Sequence, residues 1–347
     1  MIILGIESSC DETGVSVFCT KNCILFNTIK SQINLHNKYG GVVPELASRD
    51  HAKYMPVMIK YLLSYTKIYP SKIDFIACTL GPGLIGSLLI GISISQAFSW
   101  SKNIPIIPIN HLEGHILSPI IEKNNSVKFP FIVLLLSGGH TQIIQINKIG
   151  DYHLLGETLD DSVGEALDKI SKKIGMKYPG GPNIELLSEN GNSKKFFFPK
   201  SMLKKNNLNF SFSGLKTNFS KKLFFLKKKK IINYKNLSDL SSSFQYQIFE
   251  IIISKVLLSS KLSGIRQILI VGGVISNIKL RYKLKKIFSN LGIIFHFPNI
   301  KFCNDNGSII SFAASKRIKK KKLYNSIISK KKYLNIISRW NIYNLRD

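Results

Sequence analysis

The opening stretch of the chain constrains its fold more than any other segment. Ile2–Glu7 and Val15–Cys19 are short apolar runs around a polar, glycine-bounded segment, Gly5-Ile-Glu-Ser-Ser-Cys-Asp-Glu-Thr-Gly14. Short apolar runs on either side of a polar turn read as strand–turn–strand. A second such unit joins Phe131–Leu136 to Gln142–Ile146 through Leu136-Ser-Gly-Gly-His-Thr141. Further strands are expected at Ile73–Thr79, Pro105–Ile109 and Gln267–Val271. Helical patterns alternate with them: Pro44 to Tyr65, Leu84–Trp100, His111–Glu122, segments starting at Ser162, Leu237 and Ser276, and Asn306–Lys321. This alternation is α/β. No residue-level repeat is visible, yet the two echoing turns indicate two similarly built lobes with a cleft between them. The boundaries fall near residues 110 and 300, giving 1–110 plus 300–347 for lobe I and 111–299 for lobe II.

A length of 347 residues suffices for two separate cores. Hydrophobic residues at 44% and charged residues at 20% exclude wholesale disorder. The N-terminus lacks a basic n-region and reads as a strand, not a signal peptide. The most apolar stretch, Leu84 to Phe98, is broken by Gly86, Ser87, Gly91, Ser93 and Ser95, so it is too short and polar to span a bilayer. The cysteines Cys10, Cys19, Cys23, Cys78 and Cys303 are odd in number and form no CxxC pair, which points to a reducing cytoplasm. Net charge is +29, but only 6 of the 49 basic residues are arginines. Lysine drift over solvated faces, or an anionic membrane, explains that charge as well as a nucleic-acid partner does. Lysine runs at 227–230, 319–322 and 330–332 are expected in exposed loops or helix ends, and Lys221–Lys235 is expected to be the least ordered stretch.

His111-x-x-x-His115 places two imidazoles at i and i+4 of a helix, about 5–6 Å apart at Cβ, where both can reach one ion. Two histidines that merely share a face would show the same spacing. Glu113 falls between them, so the order is not that of a zinc protease and Glu113 cannot be its base. Asp305, in a polar turn before the last helix, is the candidate third ligand, with a helix N-cap as the alternative role. Asp11 and Glu12 either coordinate a cation, orient a nucleophile through charge near a phosphate, or simply form the turn.

Glycines at strand and helix ends are candidate anion cradles: Ser137-Gly138-Gly139, Gly180-Gly181, Gly272-Gly273 and Gly81-Pro82-Gly83. Neither a P-loop nor GxGxxG after the first strand is present. Glu165 and Asp168 share a helix face. Asp168 is placed either to accept hydroxyl hydrogens or to pair with Lys169 and Lys172 on a solvated surface.

Seven segments in order resemble one family across essentially the whole chain: 5–14, Tyr-Gly-Gly-Val-Val-Pro-Glu-Leu-Ala-Ser-Arg-Asp-His (39–51), Gly-Pro-Gly-Leu (81–84), His-Leu-Glu-Gly-His (111–115), Leu-Leu-Ser-Gly-Gly-His-Thr (135–141), Phe-Ser-Phe-Ser-Gly-Leu-Lys-Thr (210–217) and Gly-Gly-Val-Ile-Ser-Asn (272–277). They are similar to the TsaD family, bacterial relatives of the Kae/OSGEP proteins. The resemblance implies an actin/Hsp70/hexokinase-like (ASKHA) fold with a nucleotide cleft between lobes. It implies transfer of threonylcarbamoyl from threonylcarbamoyl-AMP to N6 of the adenosine beside the anticodon in tRNAs reading codons that begin with A. It further implies one divalent metal, iron or zinc, on His111, His115 and Asp305. The adenylate would lie on Leu135, Leu136, Ser137, Gly138, Gly139, Asp168, Gly181 and Asn277, with Glu185 near the ribose. Asp11 and Glu12 match acidic residues the family needs for activity, and the implied partners are a TsaB-like paralogue and a TsaE-like ATPase. The sequence departs from the pattern at bulky Ile275, across Lys221–Lys235, and around Ser338-Arg339-Trp340. A kinase of the same superfamily would not need the two histidines, a metallopeptidase would need a different order, and an RNA scaffold would need only the charge.

Overall fold

The computed structural model describes residues 1–21, 23–122, 127–200, 207–318 and 334–345. Among them the strands are β1 (Ile2–Glu7), β2 (Glu12–Cys19), β3 (Cys23–Ser31), β4 (Phe75–Gly81), β5 (Ile106–Asn110), β6 (Phe131–Leu136), β7 (Thr141–Lys148), β8 (Asp151–Glu157), β9 (Gln267–Val271) and β10 (Ile294–His296). The α-helices are α1 (Ile33–His36), α2 (Pro44–Thr66), α3 (Ile85–Lys102), α4 (His111–Leu117), α5 (Val163–Lys173), α6 (Gly180–Leu187), α7 (Ser213–Lys228), α8 (Tyr234–Ser263), α9 (Ile278–Asn290) and α10 (Gly307–Ile318).

The chain divides into two compact units. The first comprises Met1–Val127, Lys148–Tyr152 and Pro298–Asp347, and the second Lys128–Asn147 and His153–Phe297. The change of unit therefore falls after Val127 and not at residue 110. Helix α4 stays with the first unit because it packs on α10, β5 and β4.

Each unit holds a five-stranded sheet, in the orders β3-β2-β1-β4-β5 and β10-β9-β6-β7-β8. In the first, β1 pairs antiparallel with β2 and parallel with β4. In the second, β6 pairs antiparallel with β7 and parallel with β9. The echo between the two polar turns is thus a repeat of topology, with a central strand carrying a hairpin on one side and parallel strands on the other. The central strands are buried along nearly their whole length, as strands covered on both faces must be.

In the first unit α10 packs on β1, β2 and β4, while α2 and α3 pack together and also reach the sheet. The start of α10 lies directly on the β1–β2 hairpin. A Cβ on Gly5 would sit 2.4 Å from Gly307 O, one on Gly14 2.6 Å from Gly307 N, and one on Gly307 2.7 Å from Ser16 N. Three glycines meeting there let backbone rest on backbone, and that approach brings the turn before α10 to the hairpin's polar end.

The Lys221–Lys235 stretch is more regular than expected. Helix α7 continues to Lys228 and α8 begins at Tyr234, because Leu215, Phe219, Leu223 and Leu226 recur at helical spacing and are buried. Lys227 and Lys228 form the exposed end of α7, and Lys229 and Lys230 follow it in an exposed turn. The runs at 319–322 and 330–332 lie outside the described residues.

Candidate metal centre and substrate loops

Asn110 initiates α4, its side chain accepting the Leu112 N–H at 2.9 Å. All seven residues of the helix are buried. His111 and His115 project together, with ring centroids 4.7 Å apart. His115 Nε2 lies 2.9 Å from Asp305 Oδ1, and His111 Nε2 lies 3.6 Å from the same oxygen. One ligating atom from each of the three residues falls within 4.8 Å of the others. The N-cap role open to Asp305 belongs instead to Asn306, whose side chain accepts the Ile309 N–H at 3.2 Å. Asp305 is thereby left to face the histidines.

Behind His111, its Nδ1 lies 3.2 Å from Glu7 Oε2 and 3.1 Å from Ser9 Oγ. Glu7 is fixed in turn by the Ser9 N–H at 2.6 Å and the Thr79 hydroxyl at 2.5 Å. A carboxylate on the far nitrogen of an imidazole fixes the tautomer that turns Nε2 outward as a ligand. Glu7 and Thr79 were not foreseen from sequence. The available signal was an acid inside the otherwise apolar run of β1.

The electrostatics of this corner ask for a cation. Burial alone would depress His111, but the carboxylates of Asp305 and Glu7 outweigh it and push its pKa up to about 9. Glu12 is pushed up to about 9 by burial and by Asp305, Asp11 and Glu7. Asp11 rises for the same reasons, burial first and Asp305 second. Glu7 is held low, since the nearby His111 overcomes the opposing effect of burial. Carboxyls crowded around two imidazoles must take up protons or share a metal ion. His115 Nδ1 is buried and has no protein partner among the described residues. Two imidazole nitrogens and one carboxylate oxygen suit a borderline divalent ion with positions left open for other ligands.

Glu113, between the histidines, faces away from them. Its Oε1 accepts the Tyr152 hydroxyl at 2.6 Å and its Oε2 pairs with Arg317 Nε at 2.6 Å. This accounts for an acid in the middle of the motif that has no part in peptidase chemistry. His51 positions the Cys10–Glu12 turn, donating through Nε2 to Cys10 O at 2.9 Å and accepting the Thr13 hydroxyl at Nδ1 at 2.7 Å. Burial holds its pKa down, in keeping with a neutral ring.

The substrate residues expected from the resemblance gather in the second unit. Leu135 and Leu136 end β6 and are buried, while Gly138 and Gly139 are exposed, with open space where side chains would project. The loop is braced from α5: Ser162 Oγ donates to Gly138 O at 2.5 Å, and the Val163 N–H donates to Thr141 Oγ1 at 2.9 Å. Lys169 bridges Asp161 and Glu165. Asp168 Oδ1 accepts the Gly180 N–H at 2.6 Å, at the first turn of α6 and beside Gly181. Glu185, on α6, accepts the N–H of Ile278, the first residue of α9, at 2.9 Å, and Asn277 caps α9 by accepting the Leu280 N–H at 2.8 Å. Asp168 with Gly180-Gly181, and Glu185 with Asn277, therefore organise two helix N-termini, places where anions bind well.

Gly81-Pro82-Gly83 offers no such cradle. A Cβ on Gly81 would lie 1.8 Å from Ile337 O. The Gly83 N–H donates to Ser338 O at 3.1 Å, and the Ile337 N–H to Leu80 O at 3.0 Å. These glycines make room for a C-terminal segment, not for phosphate. The Arg339-Trp340 pair belongs to this segment, and Trp340 packs on Cys78, Leu80, Leu88 and Ile92.

The family model for TsaD, described as tRNA N6-adenosine threonylcarbamoyltransferase, matches residues 23–312. The chain belongs to this family. It is 43% identical over 319 residues to the tRNA N6-adenosine threonylcarbamoyltransferase of Bordetella avium, covering 92% of each chain. To the enzyme of that name from Nitrosomonas eutropha it is 41% identical over 345 residues, covering 99% of this chain and 100% of the relative. Full-length HypF, solved in a phosphate- and nucleotide-bound form, shares the fold with a TM-score of 0.59 at 14% identity, over 96% of this chain and 56% of HypF. The TsaD-family chain thus has the ASKHA-type α/β fold and acts in tRNA modification as a transferase. No helix among the described residues is long and apolar enough to cross a membrane.

Proposed function

We propose that this chain transfers the threonylcarbamoyl group of threonylcarbamoyl-AMP to N6 of the adenosine beside the anticodon, in tRNAs reading codons that begin with A. The observation that carries this reading is the convergence of His111, His115 and Asp305 within 4.8 Å in a chain of this family. In this reading those three residues hold one divalent ion, iron or zinc. Such an ion would supply Lewis-acid polarisation of an oxygen on the reactive carbonyl or phosphate.

In the reaction, N6 bonds to the carbamoyl carbon, the bond from that carbon to the phosphate oxygen breaks, AMP leaves, and N6 gives up a proton. An exocyclic amine is a weak nucleophile, so positioning supplies much of the rate. Leu135 to Gly139, Asp168, Gly181 and Asn277 hold the adenylate, with Glu185 toward its ribose. Asp168 and Asn277 set the two helix N-termini, and the open Gly138-Gly139 backbone admits the phosphate. Glu7 and Ser9 keep His111 turned outward. Asp11 and Glu12 provide carboxyl groups beside the three donors, and the positive charge of an ion held there would keep them ionised to receive the proton that N6 gives up. The work is cytoplasmic and shared with a TsaB-like paralogue and a TsaE-like ATPase.

The test is reconstitution of the protein and its partners with threonine, bicarbonate, ATP and tRNA, following threonylcarbamoyladenosine by mass spectrometry and bound metal by elemental analysis. His111→Ala and Asp305→Ala should lose both metal and product. Full transfer by either variant would refute the metal-assisted reading.

A further inference from the structure

The positive charge is not spread evenly. From Asn190 to Ser238 the sequence contains 13 lysines and no aspartate or glutamate. Within this stretch α7 buries Leu215, Phe219, Leu223 and Leu226 and turns Lys221, Phe224, Phe225, Lys227 and Lys228 outward. An amphipathic helix ordinarily places polar residues on that face. Here Phe224 is 67% and Phe225 53% exposed, and Phe197 on the neighbouring segment is 79% exposed. Phe196, Asn218, Lys221, Lys222 and Phe225 line a groove of about 340 Å³. Lys229 Nζ sits 4.6 Å from the centre of the Phe225 ring.

We propose that this face of α7 is an RNA-docking surface that takes an unpaired stretch of the tRNA, with lysines on phosphates and Phe225 stacked on a base. Lysine drift explains charge but not aromatic rings left in water among the lysines. A groove for an apolar peptide would not need thirteen cations without one acid. Lysines tracking a backbone while aromatic faces accept bases is how single-stranded nucleic acid is held. The proposal rests on the tRNA-modifying role above and adds where on the second unit the RNA is gripped.

The experiment measures tRNA binding by full-length protein across a salt series, with thermal melting to confirm that each variant is folded. Lys221→Gln/Lys222→Gln should weaken binding and flatten the dependence of log affinity on log salt by about 1 to 2 units. Phe225→Ala should weaken binding by about 5- to 150-fold at unchanged salt slope. Heparin, a polyanion without bases, should sense the lysine pair but not Phe225. Lys60→Gln/Lys72→Gln, on exposed lysines of the first unit, is the control. Equal weakening by that pair would reduce the effect to diffuse charge and overturn the proposal. Unchanged tRNA binding by both α7 variants, or loss of binding only to a partner protein, would overturn it too. None of these results touches the transferase reading, which stands or falls on product formation by the unaltered protein.

Discussion

Arg317 Nε lies 2.6 Å from Oε2 of Glu113, and Glu113 stands on α4 between the two histidines that face Asp305. Arg317 belongs to α10, the helix that Asp305 precedes. The pair, with the Tyr152 hydroxyl on the other carboxylate oxygen, thus joins the element bearing two candidate ligands to the element following the third.

Both partners are nearly free of solvent, at 11% and 0% side-chain exposure. Removing one partner of such a buried pair costs about 3–5 kcal/mol, because the other charge is left uncompensated. Glu113→Gln and Arg317→Met should each lower the melting temperature by several degrees and weaken metal retention against a chelator. The double variant should be less impaired than the sum of the two. Strict additivity in a double-mutant cycle would show that the pair does not act as a unit.

Asp168 gives a prediction for the second unit. Its carboxylate holds the Gly180 N–H at the start of α6. Asp168→Ala should cost about 1 kcal/mol of stability, as loss of a helix cap does. It should also raise KM for the adenylate more than it lowers kcat if the residue only positions the loop. Asp168→Asn keeps an acceptor for Gly180 and should recover most of the stability. Steady-state kinetics beside melting curves for the two variants separate the roles.

The fold was legible where the apolar pattern is strong. β1, β6 and β9 begin and end at the expected residues, because nearly every position in them is apolar and buried. β3, β8 and β10 were not foreseen: β3 alternates exposed and half-buried residues, and β10 has only three residues. The grouping of His111, His115 and Asp305 was legible through the i, i+4 spacing and the resemblance, and the capping open to Asp305 is done by Asn306. Glu7 stood out only as an acid closing an apolar strand, and its partner lies 104 positions away in sequence. Gly81-Pro82-Gly83 misled for a related reason. A glycine making room for a distant strand of backbone reads like one making room for phosphate.

Asp160 and Asp161 should both contribute to acid sensitivity. Asp160 accepts the Phe212 N–H at 2.8 Å and the Ser213 hydroxyl at 2.6 Å, tying down the start of α7. Asp161 pairs with Lys169 at 2.6 Å and with Lys216 at 2.5 Å. In both, burial works against ionisation, but for Asp160 the serine hydroxyls and backbone N–H groups, and for Asp161 the two lysines, hold the carboxyl below the usual range. A depressed folded pKa gives stability that is present above the unfolded value, about 3.9, and lost as pH falls through the lower folded one. Hydrogen exchange in α7 should therefore accelerate below about pH 4. Asp161→Asn should melt earlier at neutral pH and show a flatter acid limb. An acid limb identical to the original would exclude Asp161 as a contributor.

The last prediction concerns the backbone contact at Gly81. Its φ of +151° and the 1.8 Å approach that a Cβ would make to Ile337 O forbid a side chain unless the C-terminal segment retreats. Backbone strain of this kind costs about 1–3 kcal/mol even before the clash is counted. That segment bonds to Leu80 and Gly83 and sets Leu334, Ile336 and Trp340 against Cys78, Leu80, Leu88 and Ile92. It also fixes Asn110, whose side-chain amide donates to Trp340 O at 3.0 Å while its oxygen caps α4. Gly81→Ala should thus release residues 334–345 to protease and quench-sensitive Trp340 fluorescence to solvent. It should also loosen the helix bearing His111 and His115, so that metal is lost at lower chelator concentration. Gly138→Ala, where no atom lies within 4 Å of the new methyl, should leave the C-terminal segment protected. Equal protease resistance in Gly81→Ala and the unaltered protein would mean that the segment is not held by this contact.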